Sequence, residues 1–439
     1  MKDVVPVGPY LPDPYLPQNG NKGYRVSRYE LEIQYRVASN RLTGKASITA
    51  VTTTVLSRFS LDLASHFAVS KVYVNGSRVA KHALRAGKLT ITPRTKLPVG
   101  AALSITIHYQ GTPAPIRSVW GEVGWEELSE GSLVASQPNG AASWFPCDDH
   151  PSSKASYRIS ITTDSPYYAL ANGTLRERKV RASQTTWVYE QAEPMAAYLA
   201  TIQIGPYERL TITQQPVPIH AVLPSRLTKP FAHDFARQAQ IMDVFTELFG
   251  PYPFPDYTVV VTDDPLDIPI EAQGLSIFGA NHLDGHRGSE RLVAHELAHQ
   301  WFGNSLTIGQ WRDIWLHEGF ACYAEWLWSE QSGGPIAHDL AAQAYDGLAR
   351  KPQDLLVGDP GAALMFDDRV YKRGAITLHK LRARLGDENF FALLRDWTQR
   401  YRYTTVTAEM FTDLAARYTD GPLRDLWTSW LYEKELPPL

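Results

Sequence analysis

The chain has 439 residues, 44% of them apolar and 20% charged, with a net charge of -3 at neutral pH. That length exceeds what one ordinary core organises, so two domains are expected. The near-balanced charge gives no electrostatic ground for nucleic acid or an anionic membrane as partner. Two cysteines, Cys147 and Cys322, exclude a disulfide framework and fit a reducing compartment.

Residues 1 to about 24 read as an irregular lead-in rich in proline and glycine, without the apolar core of a signal peptide. No stretch approaches the roughly eighteen consecutive apolar residues of a membrane helix, so a cytoplasmic location is expected. From Tyr24 to about Gly205 the signals are those of strands. Tyr29 to Tyr35, Lys71 to Val74, Lys88 to Thr92 and Leu103 to Ile107 alternate with period two, and Asn75-Gly76 marks a tight hairpin.

Near Gly205-Pro206 the pattern changes. A helical period runs from Phe231 to Leu248 and stops at Gly250-Pro251, and Val259 to Thr262 reads as a buried strand. Further helices are expected near residues 289–303, 313–331, 337–350, 371–385, 387–401, 407–419 and 422–434. The fold class is therefore α+β: an antiparallel β-domain over residues 1–205, then a mostly helical domain over residues 206–439.

Within that second half, His295-Glu296-Leu297-Ala298-His299 is an H-E-x-x-H pattern, and Glu318 follows nineteen residues after the second histidine. On a helix, residues four apart stack on one face, so His295 and His299 direct two imidazoles at one point. Two histidines and a glutamate form an established catalytic zinc set, with a fourth position kept for water, and Glu318 is the natural third ligand. Glu296 is adjacent to a ligand without being one, where a carboxylate takes a proton from the activated water. The apolar frame of Leu292, Val293, Leu297, Ala298, Trp301 and Phe302 argues for a buried helix, on which these polar groups need partners.

These motifs resemble the gluzincin zinc aminopeptidases of the aminopeptidase N and leukotriene-A hydrolase type, in a short form without their C-terminal helical domain. Three further stretches carry the resemblance, which extends from about Gly20 to Pro438. Ile268-Pro269-Ile270-Glu271-Ala272-Gln273-Gly274 stands where the family has G-x-M-E-N-x-G, and implies that Glu271 binds the substrate's free α-amine. Ile268, Ile270 and Ala272 depart from that pattern. Gln137, ahead of Phe145-Pro146-Cys147-Asp148-Asp149-His150-Pro151, stands where the family places an amide or acid that reaches the same amine. Tyr371 in Tyr371-Lys372-Arg373-Gly374 matches the tyrosine that hydrogen-bonds the oxyanion, a role a neutral phenol suits.

The resemblance implies a thermolysin-like catalytic domain with one zinc ion, acting as a monomer on peptides with a free N-terminus. Ile270 beside the amine position favours neutral or apolar first residues. Three alternatives stand beside this one: a zinc endopeptidase, a lipid-epoxide hydrolase and an inactive zinc-containing binding protein. The epoxide branch of the family places an acid eight residues before the tyrosine, where this chain has Ala363. Glu325, two turns after Glu318, is a candidate for orienting a zinc histidine.

Overall fold

The structure, a computed structural model, describes residues 12–439, so the first eleven residues of the lead-in lie outside the described residues. Compactness divides the chain into two units. One runs through Arg226 and includes Phe254–Leu266 and Ala272–Ala280; the other holds Leu227–Pro253, Asp267–Glu271 and Asn281–Leu439. The strands that follow the 205/206 boundary expected from composition thus group mainly with the first unit.

The first unit is built on an eight-stranded sheet whose centre is Tyr24–Arg36, flanked by Arg41–Thr52 and Lys154–Asp164. Alternation decides which face is core. Tyr29, Leu31, Ile33 and Tyr35 are buried while Glu30, Glu32 and Gln34 are exposed. Each such buried side chain contributes roughly 1.5–3 kcal/mol. Tyr29 stacks on Tyr157 at 4.8 Å and meets the edge of Phe145 at 5.6 Å, which seats the Phe145-Pro146-Cys147 segment against the sheet. At the Asn75-Gly76 turn both residues have positive φ, 49° and 76°, as a tight hairpin turn requires.

The sheet is not wholly antiparallel. Tyr24–Arg36 runs parallel to Lys154–Asp164, with Arg28 opposite Ser156 and Ile33 opposite Ile161. Antiparallel pairing is what a short hairpin enforces; these strands are joined through most of the intervening domain, and the chain is free to return in the same direction. A further sheet contains Glu208–Thr213, Ile219–Leu223, Tyr257–Thr262 and Leu275–Gly279, the last three parallel. Those three are buried at every position, so neither face alternates with solvent, and Val259 to Thr262 is the buried strand expected from sequence.

The second unit is helical: α1 Thr228–Asp234, α2 Gln238–Phe249, α3 Glu290–Ala298, α4 Trp315–Gln331, α5 Ala337–Leu348, α6 Asp368–Arg400, α7 Ala408–Ala415 and α8 Arg424–Leu431. The single helix expected over 231–248 is interrupted between Asp234 and Gln238. Asp234 there turns its carboxylate to the backbone N–H groups of Gly285 and Arg287, at 2.8 and 3.2 Å. The break expected between 385 and 387 is present: Gly386 has φ 73°, outside the helical range, and divides α6.

Candidate active site

α3 carries His295 and Glu296, and His299 caps its C-terminus while still donating its N–H to the His295 carbonyl at 3.2 Å. One helical turn therefore brings the two rings together edge to face, with centroids 4.8 Å apart. Aromatic packing fixes the end of this helix. Trp301 Nε1 donates to the Gly250 carbonyl at 3.0 Å, and Phe302 lies against Phe320 of α4 at 4.5 Å.

The back of each imidazole is held. His299 Nδ1 is 3.0 Å from the Phe302 carbonyl, which can only accept, so that nitrogen carries the proton. His295 Nδ1 is 2.7 Å from Glu325 Oε1, and Glu325 Oε2 accepts from Arg291 at 2.9 Å. Both Nε2 atoms are thereby turned to one point, each 3.5 Å from Glu318 Oε2. Ligand atoms of His295, His299 and Glu318 all lie within 4.8 Å of one another, and all three side chains are buried.

The electrostatics favour positive charge at that point. Burial opposes a charge on either ring, yet Glu318 and Glu325 lift His295 to about 9, and Glu271 and Glu318 lift His299 to about 10. Burial alone would raise Glu318, but the two imidazoles hold it well below the ordinary carboxylate range. Two soft nitrogens and a carboxylate oxygen, with more buried acids behind them, fit a divalent cation of the zinc kind.

Glu296 is buried beside this set. Its Oε2 has no hydrogen-bond partner among the described residues, and burial, opposed by the two imidazoles, pushes it up to about 7. Glu271, on the strand Ile270–Ala272, is also buried, and forms a second close group with Glu296 and His299. Burial raises its carboxyl, His299 pulls it down and Glu318 raises it again. Tyr371, in the first turn of α6, lies with its ring nearly parallel to His295 at 6.1 Å; burial, then the charge of Glu318, pushes its phenol well up.

Two glycines set the spacing of these helices. A Cβ on Gly319 would lie 3.0 Å from the Gly374 Cα, and a Cβ on Gly374 would lie 3.0 Å from the Gly319 Cα. α4 and α6 therefore touch backbone to backbone, next to Glu318 on one and one turn beyond Tyr371 on the other. Of the seven residues expected from the sequence, six belong to the second unit. Gln137 belongs to the first, half-buried in the turn after the strand Gly131–Ala135. Arg291, one turn before His295, was not a candidate from sequence; an arginine four residues ahead of the first histidine was its only signal.

Convergent imidazoles, a third acidic group and an unengaged acid beside them are the arrangement that the H-E-x-x-H class of metallohydrolases uses. Within that class the chain belongs to peptidase family M1: residues 26–199 match the M1 N-terminal domain and residues 233–430 the M1 peptidase domain. Aminopeptidase M1-D of Oryza sativa is 26% identical over 93% of the chain and 50% of its own length. Human glutamyl aminopeptidase is 28% identical over 70% of the chain and 35% of its own length. The chain thus spans half or less of these relatives. An M1 zinc metallopeptidase from Deinococcus radiodurans superimposes with a TM-score of 0.89 at 29% identity, covering 98% of this chain and 99% of that one. A mutant of that protein was solved with a Tyr-Ser-Ala substrate. No described helix is long and apolar enough to cross a membrane.

Proposed function

We propose that the chain is a zinc aminopeptidase that removes single residues from the N-terminus of peptides. The observation that carries this reading is Glu296: a buried carboxyl with an unengaged oxygen, pushed up to about 7, beside three groups that converge as ligands. His295, His299 and Glu318 would hold one zinc ion, which when bound would supply Lewis-acid polarisation of the carbonyl and of the attacking water. Glu296 takes the proton of the attacking water and returns it to the leaving amine, a task suited to an acid titrating near neutrality. Tyr371 donates its phenolic hydrogen to the developing oxyanion. Glu271 binds the α-ammonium of the substrate through a charge-assisted hydrogen bond.

Anchoring the terminus is what makes the cut exopeptidic. A cytoplasmic setting is supported by two cysteines that are both free and buried. A monomeric working unit is supported by ligand groups, base and phenol all drawn from one chain.

Hydrolysis of aminoacyl anilides should be lost on chelation and restored by zinc. Peptides with an acetylated N-terminus should resist cleavage. Equal cleavage of blocked and free peptides would remove the exopeptidase assignment in favour of an endopeptidase, and no turnover across a broad anilide panel would leave a binding protein.

A further inference from the structure

Arg373, in the second turn of α6, is 4% exposed, and among the described residues no carboxylate stands within 4.0 Å of its guanidinium. A buried charge is costly unless other groups answer it. Here the backbone does. Nε donates to the Trp430 carbonyl at 2.8 Å, Nη1 to that of Lys434 at 2.8 Å, and Nη2 to those of Ser429, Glu433 and Glu435 at 2.7, 2.6 and 3.0 Å. Burial lowers the guanidinium to about 10, against the charge of Glu433, so it stays charged at neutral pH.

Ser429 and Trp430 belong to the last turn of α8, whose final carbonyls have no partner within the helix. The other two of that turn are met separately: Thr428 by the Tyr432 N–H at 3.0 Å, and Leu431 by the Gly358 N–H at 2.9 Å. A cation at this end is also favoured by the helix dipole. The helix end does not require the rest of the ring. Beyond Leu431 the exposed residues Glu433, Lys434 and Glu435 turn three further carbonyls to the same guanidinium.

The place of this anchor on α6 gives it a meaning. Positions two apart on a helix are about 200° apart around it, so Arg373 is gripped from the side away from Tyr371. The next residue, Gly374, is the one in backbone contact with Gly319 of α4. The turn that carries the phenol is thus fixed from two directions. α6 runs for 33 residues, and both contacts fall here.

We propose that Arg373 is a positioning residue for Tyr371: the carbonyls of residues 429–435 hold the guanidinium, and the guanidinium holds the turn of α6 that sets the phenol. The inference rests on the oxyanion role proposed for Tyr371. Arg373→Lys keeps a charge but offers a single ammonium to a ring that a planar fork fills. In the zinc-loaded full chain it should lower kcat on an aminoacyl anilide by roughly 10–100-fold, with KM and zinc content unchanged. Made in Tyr371→Phe, the same replacement should lower kcat no further. Equal losses in the two backgrounds would overturn the proposal, because Arg373 would then act on the domain as a whole.

A second arm needs no turnover. 3-Fluorotyrosine in place of Tyr371 should change its fluorine resonance in Arg373→Lys, whereas the same probe in place of Tyr401, past the far end of α6, should not. An unmoved resonance at the first position, or equal changes at both, overturns the proposal. A parent without anilide turnover sinks the aminopeptidase reading instead, and the fluorine arm then decides. If Arg373→Lys does not fold, a Gly-Gly insertion after Tyr432 displaces the carbonyls of Glu433, Lys434 and Glu435 while leaving those of Ser429 and Trp430, and should move the first resonance in the same way.

Discussion

Glu325 offers the most direct test of how the ligand set is held. Its carboxylate is buried, 2.7 Å from His295 Nδ1 and 2.9 Å from Arg291, so it fixes the ring whose Nε2 turns to the proposed metal position. Glu325→Gln keeps an acceptor for the imidazole N–H but removes the charge that raises the ring's basicity. Glu325→Ala also leaves a buried N–H without a partner, which costs about 1–3 kcal/mol. Removing such an outer partner weakens metal binding by about 10–100-fold, or about 1.4–2.8 kcal/mol. The alanine variant should fall at the upper end and the glutamine variant at the lower. Zinc affinity measured against a competing fluorescent chelator reads this directly, and melts of the metal-free variants separate it from general destabilisation. If Glu325→Ala binds zinc as tightly as the parent, the His295 ring is held by packing alone, and the argument from this hydrogen bond fails.

Other predictions separate the remaining roles. Glu318→Ala should emerge from dialysis without zinc, whereas Glu296→Ala should keep one ion per chain and lose about 10²–10⁴-fold in kcat; zinc retained without Glu318 would place the third ligand elsewhere. Gly374→Ala sets a Cβ 3.0 Å from the Gly319 backbone, so overpacking should cost about 1–3 kcal/mol and lower kcat by displacing Tyr371. The control is Gly347→Ala in α5, where nothing lies within 4 Å and the melting temperature should rise. Asp148 gives a pH prediction in the first unit: burial, then the nearby charge of Asp62, raises its carboxyl from 3.8 to about 6. The folded state keeps a proton there that the unfolded chain releases. This contribution is therefore complete below pH 3.8, lost as pH rises to about 6, and on the order of 3 kcal/mol. Asp148→Asn should flatten the melting profile across that window; an unchanged slope would mean that other buried acids carry it.

What could be read from the sequence was whatever is local along the chain. His295 and His299 announce themselves because one helical turn both spaces them and sets them on one face. Asn75-Gly76 and Gly386 announce themselves because asparagine and glycine are the residues that take positive φ most cheaply. The parallel pairing of Tyr24–Arg36 with Lys154–Asp164 has no such signature, since alternation fixes which face is buried but not which way a distant strand runs. The interruption before Gln238 was hidden for a related reason: the helical period continues across it, and only the distant N–H groups that draw Asp234 away reveal the break.

The glycines of the two site motifs show where local reading ends and packing begins. Gly319 follows Glu318 directly and Gly374 closes the segment begun by Tyr371, and each, read alone, is only a weak position in a helix. Placed face to face, they let α4 and α6 approach closely, and that approach puts the phenol on one helix beside the carboxylate on the other. The helical cost of two glycines, about 1 kcal/mol each relative to alanine, is thus set against the position of the phenol proposed to act. Any side chain at either position would have to widen the crossing by moving backbone, which cannot yield as a side chain can. Across the same crossing Lys372, between Tyr371 and Gly374, donates to Cys322 Sγ of α4 at 3.3 Å. Tyr371 and Lys372 therefore take their places from one contact, and a change in the glycine pair should be felt at both.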